Sequence, residues 1–252
     1  MKLIITDLDN TLLRGDKSIS DYTVNIYRKC REKGFLIAFA TARSEGAASR
    51  FIDLIRPSII ISNGGASISV NGASIHKNLI DEETTFGIVE MCKQFTEGRG
   101  LITVETDDGY YCNFHPYDGD RKKVYTYTDF SSFKKPSYKI TSVLENETWA
   151  KEIVDMYPDT FYLNFSGEDW RRFAAKNSDK GTAVQILLRH LNLSPSDVIA
   201  FGDDANDIPM LKLAGTAVAV ANAIDEAKAI AHAVTDSNDN DGVAKFIEAT
   251  LL

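Results

Sequence analysis

Asp7-Leu8-Asp9-Asn10-Thr11 follows the apolar run Leu3-Ile4-Ile5-Thr6 near the start of the chain. The run is short and partly β-branched, which is typical of a strand buried inside a parallel sheet. Open α/β sheets bind their ligands at the carboxyl ends of their strands, and the two carboxylates fall at that end. Alone, a carboxylate after a strand is often only a turn former or a helix cap, so the rest of the chain must decide.

The composition indicates a soluble globular protein. The chain has 252 residues, of which 44% are hydrophobic and 25% charged. That is enough for one large domain or for a core with an inserted module. The formal net charge of -8 disfavours a nucleic acid or an anionic membrane as the main partner. An acidic protein can still bind a phosphate ester where a metal ion and a few basic groups are held locally.

The cysteine pattern and the hydropathy favour a cytoplasmic protein. Cys30, Cys92 and Cys112 are an odd number of cysteines without close spacing, which favours reduced thiols over a disulfide framework or a zinc site. Charged residues interrupt the apolar run at the N-terminus, and no stretch reaches the length of a membrane-spanning helix. We expect a cytoplasmic location.

Strand and helix patterns alternate at both ends of the chain, which predicts an α/β protein with a doubly wound parallel sheet. A buried strand is followed by an amphipathic helix and then by another buried strand, and right-handed crossovers make such strands parallel. The predicted strands cover 3–6, 36–40, 58–62, 198–201, 217–220 and the edge segment 232–235, and the main predicted helices cover 20–33, 45–55, 180–191 and 243–251.

Residues 82–176 have a different texture. Aromatic residues are dense, and the segments 101–105 and 138–143 alternate in the manner of half-buried antiparallel strands. Helices are predicted near 82–96 and 147–157. We therefore predict a core formed by residues 1–81 and 177–252, with residues 82–176 inserted as a small α+β cap domain.

Polar side chains follow three of the predicted parallel strands, and a lysine begins the helix after the insertion. Because parallel strands end at one edge of the sheet, we expect these side chains to meet. A carboxylate there can attack phosphorus, a second can move a proton, and several can hold a hard divalent cation. A hydroxyl, a lysine and an amide can hold phosphoryl oxygens. The residues are Asp7, Asp9, Thr41, Lys180, Asp203, Asn206 and Asp207.

With these motifs the chain resembles a haloacid dehalogenase (HAD) superfamily phosphatase, and it is most similar to the Cof-type sugar-phosphatase branch with a type IIB cap. The resemblance covers essentially the whole chain. Four motifs carry it in order: Asp-Leu-Asp-Asn-Thr at 7–11, Thr41, Lys-Gly at 180–181 and Gly-Asp-Asp-Ala-Asn-Asp at 202–207. The stretches 217–223 and 241–243 also match the family pattern.

The resemblance implies catalytic and metal-binding roles for the carboxylates. Asp7 would be the nucleophile, and Asp9 would be the general acid/base with its main-chain carbonyl on a Mg²⁺ ion. Asp203 would bind the ion through its side chain, together with Asp7. Asp207 would bind the ion or hold a water molecule on it.

The resemblance also implies a phosphate-binding set made of Thr41, Ala42, Lys180 and Asn206. Ala42 departs from the family pattern, which usually has glycine after the threonine of the second motif. Its backbone N–H could still serve, but a left-handed backbone conformation would cost alanine what glycine avoids.

The sequence therefore predicts a Mg²⁺-dependent phosphomonoester hydrolase that works through an aspartyl-phosphate. By resemblance its substrates would be sugar phosphates or similar small phosphate esters. Two alternatives stay open: a phosphosugar mutase or other phosphotransferase on the same core, and a non-catalytic sensor of a phosphorylated ligand. We expect a monomer or a weak homodimer, with neither nucleic acid nor membrane as a partner.

Some of these residues also have plainer interpretations. Thr41 could be a helix N-cap, and Lys180 could be an ordinary solvated lysine. Arg43 could contact a sugar or a phosphate, or it could form a surface ion pair. Asn63-Gly64-Gly65 is most simply a tight turn with positive φ angles, although its place after a strand leaves a substrate contact open. Asp204 is interpreted as a turn residue.

Two segments near the C-terminus are interpreted structurally. Asn222 is predicted to cap the helix that follows it. Residues 237–242, together with Glu248, nearly fit a calcium-binding loop, but the first position is serine and no helix is predicted before it. We interpret this segment as a loop that caps the last helix.

Overall fold

A computed structural model describes residues 2–115, 125–164 and 169–252. Two of the aromatic residues in the inserted region, Tyr117 and Phe165, lie outside the described residues. The chain forms two compact units, one made of Met1–Lys77 with Ser178–Leu252 and the other of Asn78–Asn177. Within the described ranges, no helix is both long and apolar enough to cross a lipid bilayer.

The described residues form fourteen β-strands and eight α-helices. The strands are β1 (Leu3–Thr6), β2 (Leu36–Ala40), β3 (Ile59–Ser62), β4 (Ser67–Val70), β5 (Ala73–Lys77), β6 (Ile102–Glu105), β7 (Tyr110–Cys112), β8 (Tyr125–Tyr127), β9 (Lys139–Val143), β10 (Thr160–Asn164), β11 (Trp170–Ala175), β12 (Val198–Gly202), β13 (Thr216–Ala219) and β14 (Ala233–Val234). The α-helices are α1 (Asp21–Glu32), α2 (Glu45–Ile55), α3 (Glu82–Phe95), α4 (Glu147–Met156), α5 (Lys180–Leu191), α6 (Ile208–Leu213), α7 (Asp225–Ile230) and α8 (Gly242–Leu251).

The first unit is built on an eight-stranded sheet with the order β14-β13-β12-β1-β2-β3-β4-β5. The strands from β14 to β3 are parallel, and β1 lies between β12 and β2. Ile4 and Ile5 point to opposite faces of the sheet, and both are fully buried. Both faces are therefore covered, as a parallel sheet requires, and the predicted α/β fold class is confirmed.

The strands β4 and β5 form an antiparallel hairpin that the sequence analysis did not include. Asn71 and Gly72 connect them with φ angles of 51° and 79°. Positive φ at both central residues is the requirement of a type I′ turn, and Asn-Gly is a strong sequence signal for it. The Asn-Gly pair follows a short stretch that alternates in polarity, so the sequence contains a signal for this hairpin.

The second unit has a six-stranded sheet with the order β10-β11-β9-β6-β7-β8. Neighbouring strands are antiparallel except β7 and β8. Apolar side chains from α3 and α4 pack on one face of this sheet, where Ile88 and Ile153 join Ile102, Ile140 and Phe173 in a separate hydrophobic cluster. The inserted region is thus α+β, as predicted from its alternating strands.

Candidate active site

The first motif and the fourth motif leave adjacent strands of the parallel sheet. Asp7 follows β1, and its backbone N–H donates to the carbonyl of Phe201 in β12 at 3.1 Å. Asp203 follows β12 directly, and Asp207 comes one short 3₁₀ turn later. Carboxylate oxygens of Asp7, Asp203 and Asp207 all lie within 4.8 Å of one another, and the three residues are buried. The structure therefore brings together side chains that are 200 residues apart in the chain.

Lys180 completes this cluster from the N-terminus of α5. Its Nζ lies 2.6 Å from Asp7 Oδ1 and 2.5 Å from Asp207 Oδ1, and only 3% of the residue is exposed. A solvated helix lysine would be exposed, so that interpretation is wrong. The helix begins here because the side chain of Asp179 accepts a hydrogen bond from the backbone N–H of Thr182.

The turn at 63–65 packs directly against the start of α5. Asn63, Gly64 and Gly65 have φ angles of 53°, 73° and 110°, as expected for a tight turn. A Cβ atom added at Gly65 would lie 2.3 Å from the carbonyl oxygen of Asp179. Only glycine permits both this backbone conformation and this close approach, so Gly65 lets the N-terminus of α5 lie beside the carboxylate cluster.

The electrostatics of the cluster are dominated by burial and by an excess of negative charge. Burial raises the pKa of Asp7 well above its ordinary value, the charge of Lys180 opposes this, and the charges of Asp207 and Asp203 add to it. Burial likewise raises the pKa of Asp203 to about 6, with a further rise from Asp207 and an opposing hydrogen bond from Thr11. Three carboxylates surround a single ammonium group, so one positive charge does not balance the negative charge of the cluster.

The donor set fits a hard divalent cation. Such cations bind carboxylate oxygens, and these three carboxylates converge without a soft ligand among them. Asp207 Oδ2 accepts hydrogen bonds from the backbone N–H groups of Asp203 and Asp204, at 2.9 and 3.1 Å, which orients its other oxygen toward the cluster. A Mg²⁺ ion here would offset the charge that Lys180 leaves unbalanced.

The carboxylate of Asp9 is held outside this cluster by two basic side chains. Arg43 donates from Nε to Asp9 Oδ2 and from a terminal nitrogen to Oδ1, both at 2.7 Å, and Lys17 Nζ lies 3.1 Å from Oδ1. Burial alone would raise the pKa of Asp9, but the hydrogen bonds and charges of Arg43 and Lys17 outweigh it and leave the pKa below its ordinary value. Of the two interpretations of Arg43, the structure shows an ion pair.

Thr41 and Ala42 lie in the loop after β2. Thr41 is buried, and its Oγ1 accepts a hydrogen bond from the backbone N–H of Arg43 at 3.1 Å. The N-cap of α2 is Ser44, so Thr41 is not a helix cap. Ala42 is not among the residues with positive φ, so the predicted conformational cost for alanine does not arise.

Asn206 and Asp204 lie at the end of β12. Asn206 is in the 3₁₀ turn Ala205–Asp207 and is partly buried. Asp204 precedes this turn and caps it, because its carboxylate accepts the backbone N–H of Ala205 at 2.6 Å. Its interpretation as a turn residue is confirmed.

Thr11 contributes a contact that the sequence analysis missed. Its hydroxyl donates to Asp203 Oδ1 at 2.5 Å and so links the first motif to the fourth. No local sequence signal shows that its partner lies 192 residues away.

Two predictions about the C-terminal segments were wrong. The residue that precedes α7 is Ile224, which makes no side-chain cap, and Asn222 instead donates to the carbonyl of Asn10 at 2.7 Å. Asp241 precedes α8, but its carboxylate does not cap that helix. It accepts hydrogen bonds from Arg14 at 2.7 Å and Ser20 at 2.8 Å. Both side chains are occupied by partners that are distant in sequence, which a local capping pattern cannot reveal.

The comparisons with known proteins agree with this site. The family model for haloacid dehalogenase-like hydrolases matches residues 4–247. The chain belongs to this family. The resemblance inferred from the four motifs, including the Cof-type branch, is therefore confirmed, and the chain is a phosphatase.

Relatives within the family align along nearly their whole length. A 5-amino-6-(5-phospho-D-ribitylamino)uracil phosphatase of Bacillus subtilis is 27% identical over 268 residues, covering 98% of this chain and 96% of the relative. A phosphoglycolate phosphatase of Methanopyrus kandleri is 27% identical over 252 residues, covering 99% and 97%. Among solved structures, a HAD subclass IIB sugar phosphatase superposes with a TM-score of 0.84 at 23% identity, covering 99% of this chain and 98% of that one.

Proposed function

We propose that this phosphatase is a Mg²⁺-dependent phosphomonoester hydrolase that forms an aspartyl-phosphate on Asp7. The observation that carries the proposal is the convergence of the carboxylates of Asp7, Asp203 and Asp207 within 4.8 Å beside the buried ammonium of Lys180. Phosphoryl transfer needs a nucleophile, positive charge at the transferring group and exclusion of bulk water, and these residues supply all three.

The proposed reaction has two steps at the same carboxylate. An oxygen of Asp7 forms a bond to phosphorus while the bond from phosphorus to the ester oxygen breaks, and Asp9 gives that oxygen a proton. Asp9 then takes a proton from a water molecule, whose oxygen attacks the phosphorus of the aspartyl-phosphate. Inorganic phosphate leaves and the Asp7 carboxylate is restored. A Mg²⁺ ion, when bound, reduces the repulsion between the anionic nucleophile and the anionic phosphate.

Lys180 is proposed to hold the transferring group as well as the nucleophile. An ammonium group has three N–H donors, and the structure uses two of them on Asp7 and Asp207. The third donor can bind a phosphoryl oxygen. We propose that Thr41, the backbone N–H of Ala42 and the amide of Asn206 bind the remaining oxygens, since all three lie in loops at the carboxyl ends of β2 and β12.

We propose that the substrates are sugar phosphates or similarly small phosphate esters. The two curated relatives and the solved sugar phosphatase carry names that specify small phosphorylated metabolites. Residues 82–176 are proposed as the cap domain that selects among leaving groups. Such caps are mobile in many enzymes that must exclude water during the reaction.

The deciding experiment measures turnover and the covalent intermediate together. The purified protein is assayed for inorganic phosphate release from a panel of sugar, nucleotide and cofactor phosphates, with Mg²⁺ or with EDTA. We expect release only with Mg²⁺ and loss of activity by at least about a thousandfold in Asp7→Asn. In Asp9→Asn we expect a phosphorylated protein to accumulate with p-nitrophenyl phosphate, because its leaving group needs no proton while the later attack by water still lacks a base. The protein mass identifies that phosphorylated species.

Other outcomes separate the alternatives. Formation of an isomerised sugar phosphate in place of inorganic phosphate would identify a mutase. Saturable ligand binding without turnover of any ester would identify a sensor. Full activity in Asp7→Asn would exclude the aspartyl-phosphate.

A further inference from the structure

A side-chain amide bridges the segment after the nucleophile to a loop near the C-terminus. We call residues 8–18 the nucleophile loop and residues 236–242 the C-terminal loop. Asn222 Nδ2 donates to the carbonyl of Asn10 at 2.7 Å, and Asn222 Oδ1 accepts the backbone N–H of Asn238 at 2.9 Å. The buried Asn238 in turn donates from Nδ2 to the carbonyl of Leu13 at 2.8 Å. The two asparagines thus hold two carbonyls of the nucleophile loop.

Two carboxylates of the C-terminal loop extend this anchor. Asp239 Oδ1 accepts the backbone N–H of Gly15 at 2.8 Å, and Asp241 Oδ2 accepts a hydrogen bond from Arg14 at 2.7 Å. These carboxylates are the groups that resembled calcium ligands in the sequence. In the structure they bind the chain's own nucleophile loop.

The anchored loop carries the groups that surround the reacting carboxylate. Asp9 precedes Asn10, which has a left-handed φ of 59°, so the carbonyl of Asn10 is oriented by a sharp local bend. Thr11 lies next and donates to Asp203. The backbone N–H of Ile224, in the same turn as Asn222, also donates to the carbonyl of Asp203 at 2.9 Å. Asn222 and Ile224 therefore contact both the nucleophile loop and the segment that follows β12.

We propose that Asn222 and Asn238 are positioning residues that set the place of Asp9 relative to Asp7. They act through the carbonyls of Asn10 and Leu13 and touch no reacting atom. The inference rests on the proposed function, in which Asp9 protonates the leaving oxygen. Proton transfer of this kind depends on a near-attack geometry, and a displacement of about 1 Å is costly.

The test compares two esters that differ in their need for an acid. In Asn222→Asp, an oxygen replaces the Nδ2 donor and repels the carbonyl of Asn10. For a sugar phosphate, whose alkoxide leaves poorly, we expect kcat/KM to fall about three- to tenfold, the range of one lost hydrogen bond. For p-nitrophenyl phosphate, whose p-nitrophenolate leaves without being protonated, we expect a change below about twofold. Because kcat/KM covers only the steps up to the first irreversible one, the later attack by water does not enter.

Matched variants separate positioning from stability. Within the described residues, the side chain of Asn240 donates to Ser237 Oγ and makes no hydrogen bond to the nucleophile loop. Asn240→Asp adds the same charge to the same region, and we expect it to leave both rates unchanged. Asn222→Ala, which removes the donor without adding charge, is expected to show the same selective loss. Asn222 is exposed, so neither change is expected to unfold the protein.

Two results would overturn the inference: an equal loss for both esters in Asn222→Asp, which indicates a general structural defect, or no loss for either. A double variant tests whether Asn222 acts through Asp9. If it does, adding Asn222→Asp to Asp9→Asn should not lower kcat/KM for the sugar phosphate any further. If Asp9→Asn itself treats the two esters alike, the acid role of Asp9 in the proposed function fails. That result is distinct from a failure of the anchor.

Discussion

The ammonium group of Lys180 lies between the carboxylates of Asp7 and Asp207, and all three groups are buried. Burial alone would lower the pKa of Lys180, but the charges of Asp207 and Asp7 outweigh it and raise that pKa. The lysine therefore stays charged at neutral pH and balances part of the buried negative charge.

We expect Lys180→Met to destabilise the metal-free protein by about 3 kcal/mol, because the two carboxylates then stay buried without a partner. Urea unfolding in EDTA measures the loss. Added Mg²⁺ should recover part of it by supplying positive charge to the same oxygens. A variant that unfolds like the wild type in EDTA would contradict the assigned electrostatics.

Arg43 is the second residue whose contacts predict a change in activity. Its two hydrogen bonds hold both oxygens of Asp9, and its guanidinium lies 5.4 Å from the ring centre of Phe51. We expect Arg43→Gln to lower kcat for a sugar phosphate about tenfold, because the carboxylate loses its two-point support. Steady-state kinetics measures this change.

Arg50 provides the control for that prediction. Its guanidinium lies 4.5 Å from the centre of the same Phe51 ring, and among the described contacts it donates to the carbonyl of Lys17 and not to Asp9. Arg50→Gln should keep kcat within about twofold of the wild type. A similar loss in both variants would indicate that the ring contact matters and the ion pair with Asp9 does not.

At the scale of elements, the 63–65 turn lies against the start of α5, the helix that begins at Lys180. We expect Gly65→Ala to destabilise the protein by about 3 kcal/mol, because its Cβ would clash with backbone atoms of Asp179 and its φ is 110°. Gly72 is the control: it has a φ of 79°, and no described heavy atom lies within 4 Å of a Cβ built there. Gly72→Ala should cost only about 1 kcal/mol, and denaturant unfolding compares the two. Equal losses would show that the close approach is unimportant.

The C-terminal loop makes the link between α1 and α8 sensitive to acid. Burial alone would raise the pKa of Asp241, but hydrogen bonds from Arg14 and Ser20 and the charge of Arg14 outweigh it and leave this pKa below its ordinary value. Because the folded carboxyl has the lower pKa, it stabilises the folded state above the unfolded pKa of about 3.9. That stabilisation is lost as the pH falls through the folded pKa.

We therefore expect Asp241→Asn to lower the free energy of unfolding at pH 7 and to lower it by a smaller amount at pH 3. Asparagine tolerates the left-handed φ of 55° at this position, so the backbone is not strained by the change. Urea unfolding at the two pH values measures the difference. A loss that is equal at both would show that the carboxylate charge is not responsible.

At the scale of the whole molecule, the two units have separate hydrophobic clusters. Phe201 is fully buried in the cluster of the first unit, and Phe173 is fully buried in that of the second. We expect alanine at either position to cost its own unit about 3–5 kcal/mol. Hydrogen exchange followed by mass spectrometry should locate the lost protection.

Phe173→Ala should increase exchange in α3 and α4, and Phe201→Ala should increase it in the helices of the first unit. Each variant serves as the control for the other. Increased exchange throughout the chain in both variants would mean that the two clusters unfold as one.

Some of this architecture was readable from local sequence. The helix α5 runs over Lys180–Leu191, as its apolar spacing predicted, and the parallel strands were placed by short buried runs. Local signals also failed where two elements compete for one side chain. Asn222 has the chemistry of a helix cap, but the carbonyl of Asn10 and the N–H of Asn238 use it instead.

The sequence by itself determined the parallel strands of the core, the main helices, the class of the fold and which carboxylates follow strand ends, because periodicity, turn residues and strand ends are properties of neighbouring residues. Only the tertiary structure decided which distant residues contact one another. Arg43 on Asp9, Thr11 on Asp203 and the two asparagines on the nucleophile loop are contacts across long separations. Their geometry follows from how the sheet brings loops together, and a hydrogen bond depends on that geometry within tenths of an ångström.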